Sequence, residues 1–267
     1  MKILTKAILL LVAIAASYLL LAQINWTGIF QVQENGERIE KKLGSMIMSH
    51  IYDTYVVLDG QDSIMKTHDS ICRPILSKNG IDSTNYSFHI IVDEEVNAFA
   101  LPNDQILVTT GLIDFLDSAE YLSGIIAHEI AHCEKNHVMK SLVTNFGLDL
   151  LLSSTGTAEV TNFLTGQAFS RGLEKEADET AVEYLNAADI DPKNLSKVME
   201  LFDIHMAQDV DLTWISTHPA PADRKAYIQN RIKRLNPKAS TYQQALDPST
   251  WTNFQDQVRE SISIARN

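Results

Sequence analysis

Cysteine is almost missing from this chain: Cys72 and Cys133 are the only two in 267 residues. One disulfide at most can form, which excludes a disulfide framework and also a zinc site built from four cysteines. Positive charge is scarce too. Lys and Arg total 22 against 34 Asp and Glu, a net charge of −12, and no Lys/Arg cluster interrupts the acidity. Nucleic-acid binding needs a basic face, so that class of function is ruled out. Long apolar runs are confined to the start of the chain; Leu150-Leu151-Leu152 is far too short to cross a bilayer. No internal repeat or low-complexity block is present. With 45% hydrophobic and 21% charged residues, the chain is too apolar to be disordered and too mixed to be a multi-spanning membrane protein. Its length suits one large domain or two small ones, either able to bury a real core.

The first 22 residues differ from the rest. Lys2 and Lys6 precede an uncharged stretch of 16 residues, Ala7 to Ala22. A basic start followed by an apolar run marks either a secretory signal or a membrane anchor. The end of the run, Leu20-Leu21-Ala22, is a poor small-residue cleavage site. Sixteen residues fall short of the roughly 20 that a spanning helix needs, although Trp26 can sit in the interfacial belt. Both readings export the acidic body of the protein.

Beyond this segment, Ile39, Leu43, Met46, Ile47 and Ile51 recur at helical spacing within 31–70, and the helical region continues from Cys72 to a stop at Gly80. Phe88, Ile90 and Val92 alternate with Ser87, His89 and Asp93, a pattern blurred by Ile91, and Gln105 to Thr110 follows the turn signal Pro102-Asn103-Asp104, so two β runs are expected there. A long helix is predicted from Asp117 to Lys140, capped by Asp117 with Glu120 three residues on. Further helices are expected at about Arg171 to Asn186 and after Pro248, and Asp191-Pro192 opens another element between them. The fold class is therefore α+β, a mostly helical domain holding a small sheet. The expected division is 1–22 as signal or anchor, 23–64 as a helical region, 65–235 as the main domain and 236–267 as a tail.

Within the predicted long helix lies His128-Glu129-Ile130-Ala131-His132. Histidines four apart project from one helical face, so both imidazoles can reach a single metal ion. Glu129 then lies where a carboxylate can take a proton from water at the metal. A third ligand has a candidate in Glu174, with Asp178 four residues on, able to reach the far nitrogen of a ligating histidine and fix its tautomer. Two histidines and one glutamate leave a fourth position open, the arrangement of a catalytic zinc.

These residues, with Ser170-Arg171 before Glu174-Lys175-Glu176-Ala177-Asp178, then Thr217-His218-Pro219 and Arg224, and Asn97-Ala98-Phe99-Ala100-Leu101-Pro102 upstream, resemble the M48 metallopeptidases, a gluzincin family. The resemblance covers roughly residues 65–235 and is strongest to single-anchor or soluble members of the bacterial cell envelope. It implies a zincin-like domain binding one Zn2+ through His128, His132 and Glu174. Glu129 would be the general base, Asp178 would orient a ligand, and Arg224 would pair with a carboxylate. His218 would stabilise the transition state, transiently occupy the open zinc position, or serve only as a helix-start histidine. Asn97, Ala98, Phe99 and Ala100 would form a sheet edge beside the cleft, where a substrate peptide adds as a strand. The implied function is zinc-dependent hydrolysis of unfolded or misassembled cell-envelope proteins. The implied location is the bacterial periplasm or envelope, with residues 7–22 as an inner-membrane anchor if uncleaved. A zinc-bearing, chaperone-like binding module with latent proteolysis is the alternative. The family commonly has Pro-Gly-Gly where this chain has Pro102-Asn103-Asp104, so a changed turn is expected there.

Overall fold

The computed structural model describes residues 32–152, 169–206, 213–219, 221–235 and 242–265. Residues 1–22, expected to be a signal or anchor, lie outside the described residues, as do residues 153–168. The chain divides into two compact units, 1–39 and 40–267. In the first, only the opening turns of one helix are described; every later element belongs to the second.

Helix α1 spans Val32–Thr54 and α2 spans Asp62–Lys78, followed by strands β1 (Ser87–Ile91), β2 (Ala98–Leu101) and β3 (Gln105–Thr109). The remaining elements are all helical: α3 (Thr110–Phe115), α4 (Ala119–Glu134), α5 (His137–Leu152), α6 (Arg171–Ala187), α7 (Lys193–Met206), α8 (Thr213–Thr217), α9 (Pro221–Arg234) and α10 (Pro248–Ala265). The architecture is α+β and mostly helical.

The helical region expected over 31–70 is interrupted. The chain leaves α1 after Thr54, and Val56-Val57-Leu58 runs along β1: Leu58 N–H donates to the Ile90 carbonyl and Val92 N–H to that of Val56. Consecutive β-branched residues favour this extended conformation over helix. Gly80 ends the α2 region with φ 69°, a left-handed conformation that glycine adopts without penalty.

The sheet has the order β1-β3-β2. β1 pairs with β3 in parallel, Ser87 opposite Gln105, and β2 pairs antiparallel, Ala98 opposite Val108. The β2–β3 connection holds Asn103 at φ 65° and Asp104 at φ 52°. Asn and Asp tolerate that region, which accounts for a turn built without glycine. The outer side of β1 is bridged by Val57, whereas β2 has only β3 as a strand neighbour among the described residues.

Helix α4 forms the centre of the domain. It is rich in Ala and Ile, and every residue from Leu122 to Cys133 is buried. A helix apolar on all sides belongs inside a domain. It packs against β2 and β3, and against α2, α6 and α7. At Gly124 a Cβ would stand 3.3 Å from Leu195 Cα, so the missing side chain permits the close approach of α7.

Both ends of α4 differ from the sequence expectation. Ser118, not Asp117, occupies the N-cap position and makes no side-chain cap bond; Glu120 instead accepts from Ala245 N–H. The helix stops at Glu134, because Asn136 turns left-handed at φ 55°, and α5 begins at His137. A non-glycine residue in that conformation is most often Asn, the usual substitute for glycine at a helix end.

His68 on α2 is fully buried, edge-on to Phe88 with ring centroids 5.9 Å apart and Nδ1 3.6 Å from Cys72 Sγ. Burial lowers its pKa to about 4, with His89 acting in the same direction and Asp69 and Asp59 opposing. The folded protein thus holds His68 neutral, while the unfolded chain takes up a proton below pH ~6.5. Stability contributed by the neutral ring is complete above that pH and is lost as pH falls towards 4, by up to about 3 kcal/mol. Urea unfolding of metal-free His68→Leu should therefore show a shallower acid-side decline than wild type. Parallel pH profiles would contradict this.

Candidate metal centre

Three helices and one turn meet around one point. Helix α4 contributes His128, Glu129 and His132; α6 contributes Glu174 and Asp178; the turn after α8 contributes His218, and α9 contributes Arg224. All seven side chains are buried. Ser170 starts α6 as a true cap, its hydroxyl accepting from Leu173 N–H, which sets Glu174 in the first turn. His128 Nε2 and His132 Nε2 are 3.0 Å apart, and Glu174 oxygens lie 3.6 Å from the first and 3.5 Å from the second. His218 Nδ1 approaches within 3.0 Å of Glu174 Oε1 and 3.3 Å of His128 Nε2. One donor atom from each of His128, His132, Glu174 and His218 fits within 4.8 Å of the others.

This donor set suits zinc. Two nitrogens bound tetrahedrally at ~2.0 Å stand about 3.3 Å apart, close to the separation of the two ring nitrogens. His128 is neutral, because burial lowers its pKa to about 3 against the opposing pull of Asp178. A neutral imidazole is the form that binds metal. Asp178 Oδ1 accepts from His128 Nδ1–H at 2.9 Å, leaving Nε2 with its lone pair towards the centre.

Asp178 is itself fixed by Arg224, whose Nε and Nη2 donate to its two oxygens at 2.8 and 2.7 Å. Arg224 Nη1 lies 2.9 Å from Glu174 Oε2, and the guanidinium sits over the Trp214 ring, 4.6 Å from its centroid. Burial opposes ionisation of Asp178, but Arg224 and His128 outweigh it and hold the pKa at about 2. Glu174 likewise lies well below the ordinary carboxylate range: burial opposes ionisation, and His218 and Arg224 overcome it.

Glu129 is different. Neither carboxylate oxygen has a hydrogen-bond partner among the described residues, and burial raises its pKa to about 7 despite the opposing influence of His132. His218 Nε2 lies 3.6 Å from Glu129 Oε1. A carboxylate poised near neutrality beside a ligand cluster is the environment of a general base.

The sequence profile of Peptidase family M48 matches residues 66–232, more than half of the chain. The chain belongs to peptidase family M48. Among relatives, the mitochondrial metalloendopeptidase OMA1 of Bos taurus is 28% identical over 175 residues, covering 57% of this chain and 34% of the relative. The beta-barrel assembly-enhancing protease of Escherichia coli K12 is 26% identical over 189 residues, 63% of this chain and 39% of the relative. The mitochondrial metalloendopeptidase OMA1 of Schizosaccharomyces pombe is 26% identical over 181 residues, 64% and 54% respectively. The matched stretch of this M48 chain thus spans only about a third to a half of these relatives' lengths.

The segment expected at the sheet edge, Asn97 to Ala100, lies on and just before β2, which packs on α4. Asn97 is buried, its Oδ1 accepting from Ala98 N–H, while Nδ2 has no hydrogen-bond partner among the described residues. Val96 O accepts from Trp214 N–H, tying this edge to α8, and Trp214 stacks on His218 with centroids 4.5 Å apart. Two residues beside these groups were not singled out from the sequence. Trp214 is one. Phe169 is the other, its ring stacked on His132 at 3.9 Å. His137 is fully buried, with Nδ1 3.2 Å from His132 Nδ1. No helix among the described residues is long and apolar enough to cross a membrane.

Proposed function

We propose that this protein is a zinc-dependent endopeptidase acting on unfolded or misassembled cell-envelope proteins, exported with residues 1–22 as its signal or anchor. Residues 65–235 are its peptidase domain. His128, His132 and Glu174 hold one zinc ion, and Glu129 is the general base. The observation that carries this reading is the convergence of two imidazole nitrogens and a carboxylate within 3.6 Å, beside a buried Glu129 whose oxygens have no hydrogen-bond partner among the described residues. A purely structural metal site has no use for such a carboxylate.

Zinc held there supplies Lewis acidity, polarising a carbonyl and acidifying water. Glu129 accepts the proton as water attacks the scissile carbonyl, then delivers it to the leaving amine. His218, 3.0 Å from Glu174 and beside Glu129, stands where it can stabilise the oxygen that becomes negative during attack. Asp178 holds the proton on His128 Nδ1, and Arg224 holds Asp178. The substrate backbone adds to the side of β2 that no strand covers among the described residues, and the spare Nδ2 of Asn97 is a donor for it. Recognition through main-chain groups is largely independent of sequence, which suits unfolded substrates.

The test is cleavage of casein by the purified full chain, with zinc quantified. Cleavage that stops on chelation and returns with zinc is expected. One zinc per chain without cleavage would overturn the peptidase reading in favour of a binding module.

A further inference from the structure

The two histidine ligands are supported in different ways. His128 rests on Asp178, a fully buried carboxylate locked by Arg224. His132 rests on another histidine. His137 Nδ1 lies 3.2 Å from His132 Nδ1, and His137 Nε2 lies 3.3 Å from Glu176 Oε2. His137 is buried, while the Glu176 side chain is 50% exposed.

Given the zinc-peptidase reading, on which this inference rests, only one proton arrangement satisfies all three groups. His132 needs the Nε2 lone pair for metal, so its proton is on Nδ1, which donates to His137 Nδ1. His137 must therefore carry its proton on Nε2, which donates to the acceptor-only carboxylate of Glu176. We propose that His137, held by Glu176, is a positioning residue that fixes the tautomer and ring orientation of His132 and thereby sets how tightly the centre holds zinc.

Local backbone geometry makes this contact possible. On an uninterrupted helix, a residue five positions after His132 would point about 140° away from it. The left-handed Asn136 breaks α4 and swings His137 back against the ligand. Phe169 stacks on the His132 ring at 3.9 Å, so the imidazole is held by a hydrogen bond at its edge and an aromatic face on its plane.

A residue that merely fills space predicts a different ranking of substitutions from one that accepts a hydrogen bond. His137→Phe keeps a flat ring but loses the acceptor. His137→Gln changes the shape, yet its carbonyl can accept from His132 and its amide can donate to Glu176. In zinc competition against a chelator with the full chain, Phe should weaken binding about 10- to 100-fold, the usual range for residues that orient a ligand. Gln should stay within about threefold of wild type. Glu176→Met should have a smaller effect than Phe, because water can replace an acceptor that is half exposed.

Nitrogen-15 spectra of histidine-labelled, zinc-loaded wild type supply a reading that does not depend on any variant folding. They should show His132 protonated at Nδ1 and His137 at Nε2. A His137 proton on Nδ1, or Phe and wild type holding zinc equally well, would overturn the proposal. A wild-type chain that binds no zinc would instead overturn the zinc-peptidase reading and this inference with it.

Discussion

Glu129→Gln should lower cleavage of an unfolded protein substrate by roughly 10²- to 10⁴-fold, the range associated with loss of a general base. Zinc content should remain at the wild-type level, because the neighbouring ligands project independently from α4. The fold should also survive. Glu129 is fully buried with neither oxygen hydrogen-bonded among the described residues, so a neutral amide of the same shape removes a desolvated charge without stranding a partner. The melting midpoint should stay the same or rise. A variant that is stabler, metal-replete and inactive would separate chemistry from structure. Wild-type activity in Glu129→Gln would remove the residue from the mechanism, and joint loss of zinc and activity would assign it to metal retention instead.

Arg224→Met should have the largest effect on stability. Arg224 pairs through both ends of its fork with Asp178 and through its remaining nitrogen with Glu174, and it also donates to the His218 carbonyl. Methionine fills much of the volume but leaves two buried carboxylates without their cation. Breaking a buried pair from one side costs about 3–5 kcal/mol. For a domain of this size, that corresponds to a fall in melting temperature on the order of 10 °C. Adding Asp178→Asn should restore part of the loss, because one of the stranded charges disappears. Arg224→Lys should rescue poorly, since a single ammonium cannot serve two carboxylates in fork geometry. Thermal unfolding of the single and double variants measures all of this. Additive losses in the double variant would show that the pair is not coupled.

The sequence made the chemistry easier to read than the framework around it. His128, Glu129 and His132 follow helical spacing inside one element, and Glu174 and Asp178 follow it inside another, so local periodicity places each set on a common face. The expected helix after Pro248, the stop at Gly80 and the left-handed Asn103-Asp104 turn were likewise legible from local backbone chemistry. What escaped depends on contacts far apart in sequence or on one backbone dihedral. The predicted helix over 117–140 ignored Asn136, and with it the reversal that places His137 against His132. The capping role given to Glu120 fails because its carboxylate bonds Ala245, more than a hundred residues away. Val56 to Leu58 left a helical pattern to bridge β1, a choice set by the sheet and not by its neighbours. Phe169 and Trp214 carry no motif at all; only the packing of α6 and α8 onto α4 reveals that they stack on histidines.

Everything proposed for the chemistry depends on His128, His132 and Glu174 holding a catalytic zinc. Crystals of the zinc-loaded protein, measured with X-rays on either side of the zinc absorption edge, would locate the ion. One strong anomalous peak is expected, in bonding contact with Nε2 of His128, Nε2 of His132 and a carboxylate oxygen of Glu174. A peak elsewhere in the protein, or zinc-dependent cleavage by a protein with no peak at this position, would contradict that assignment.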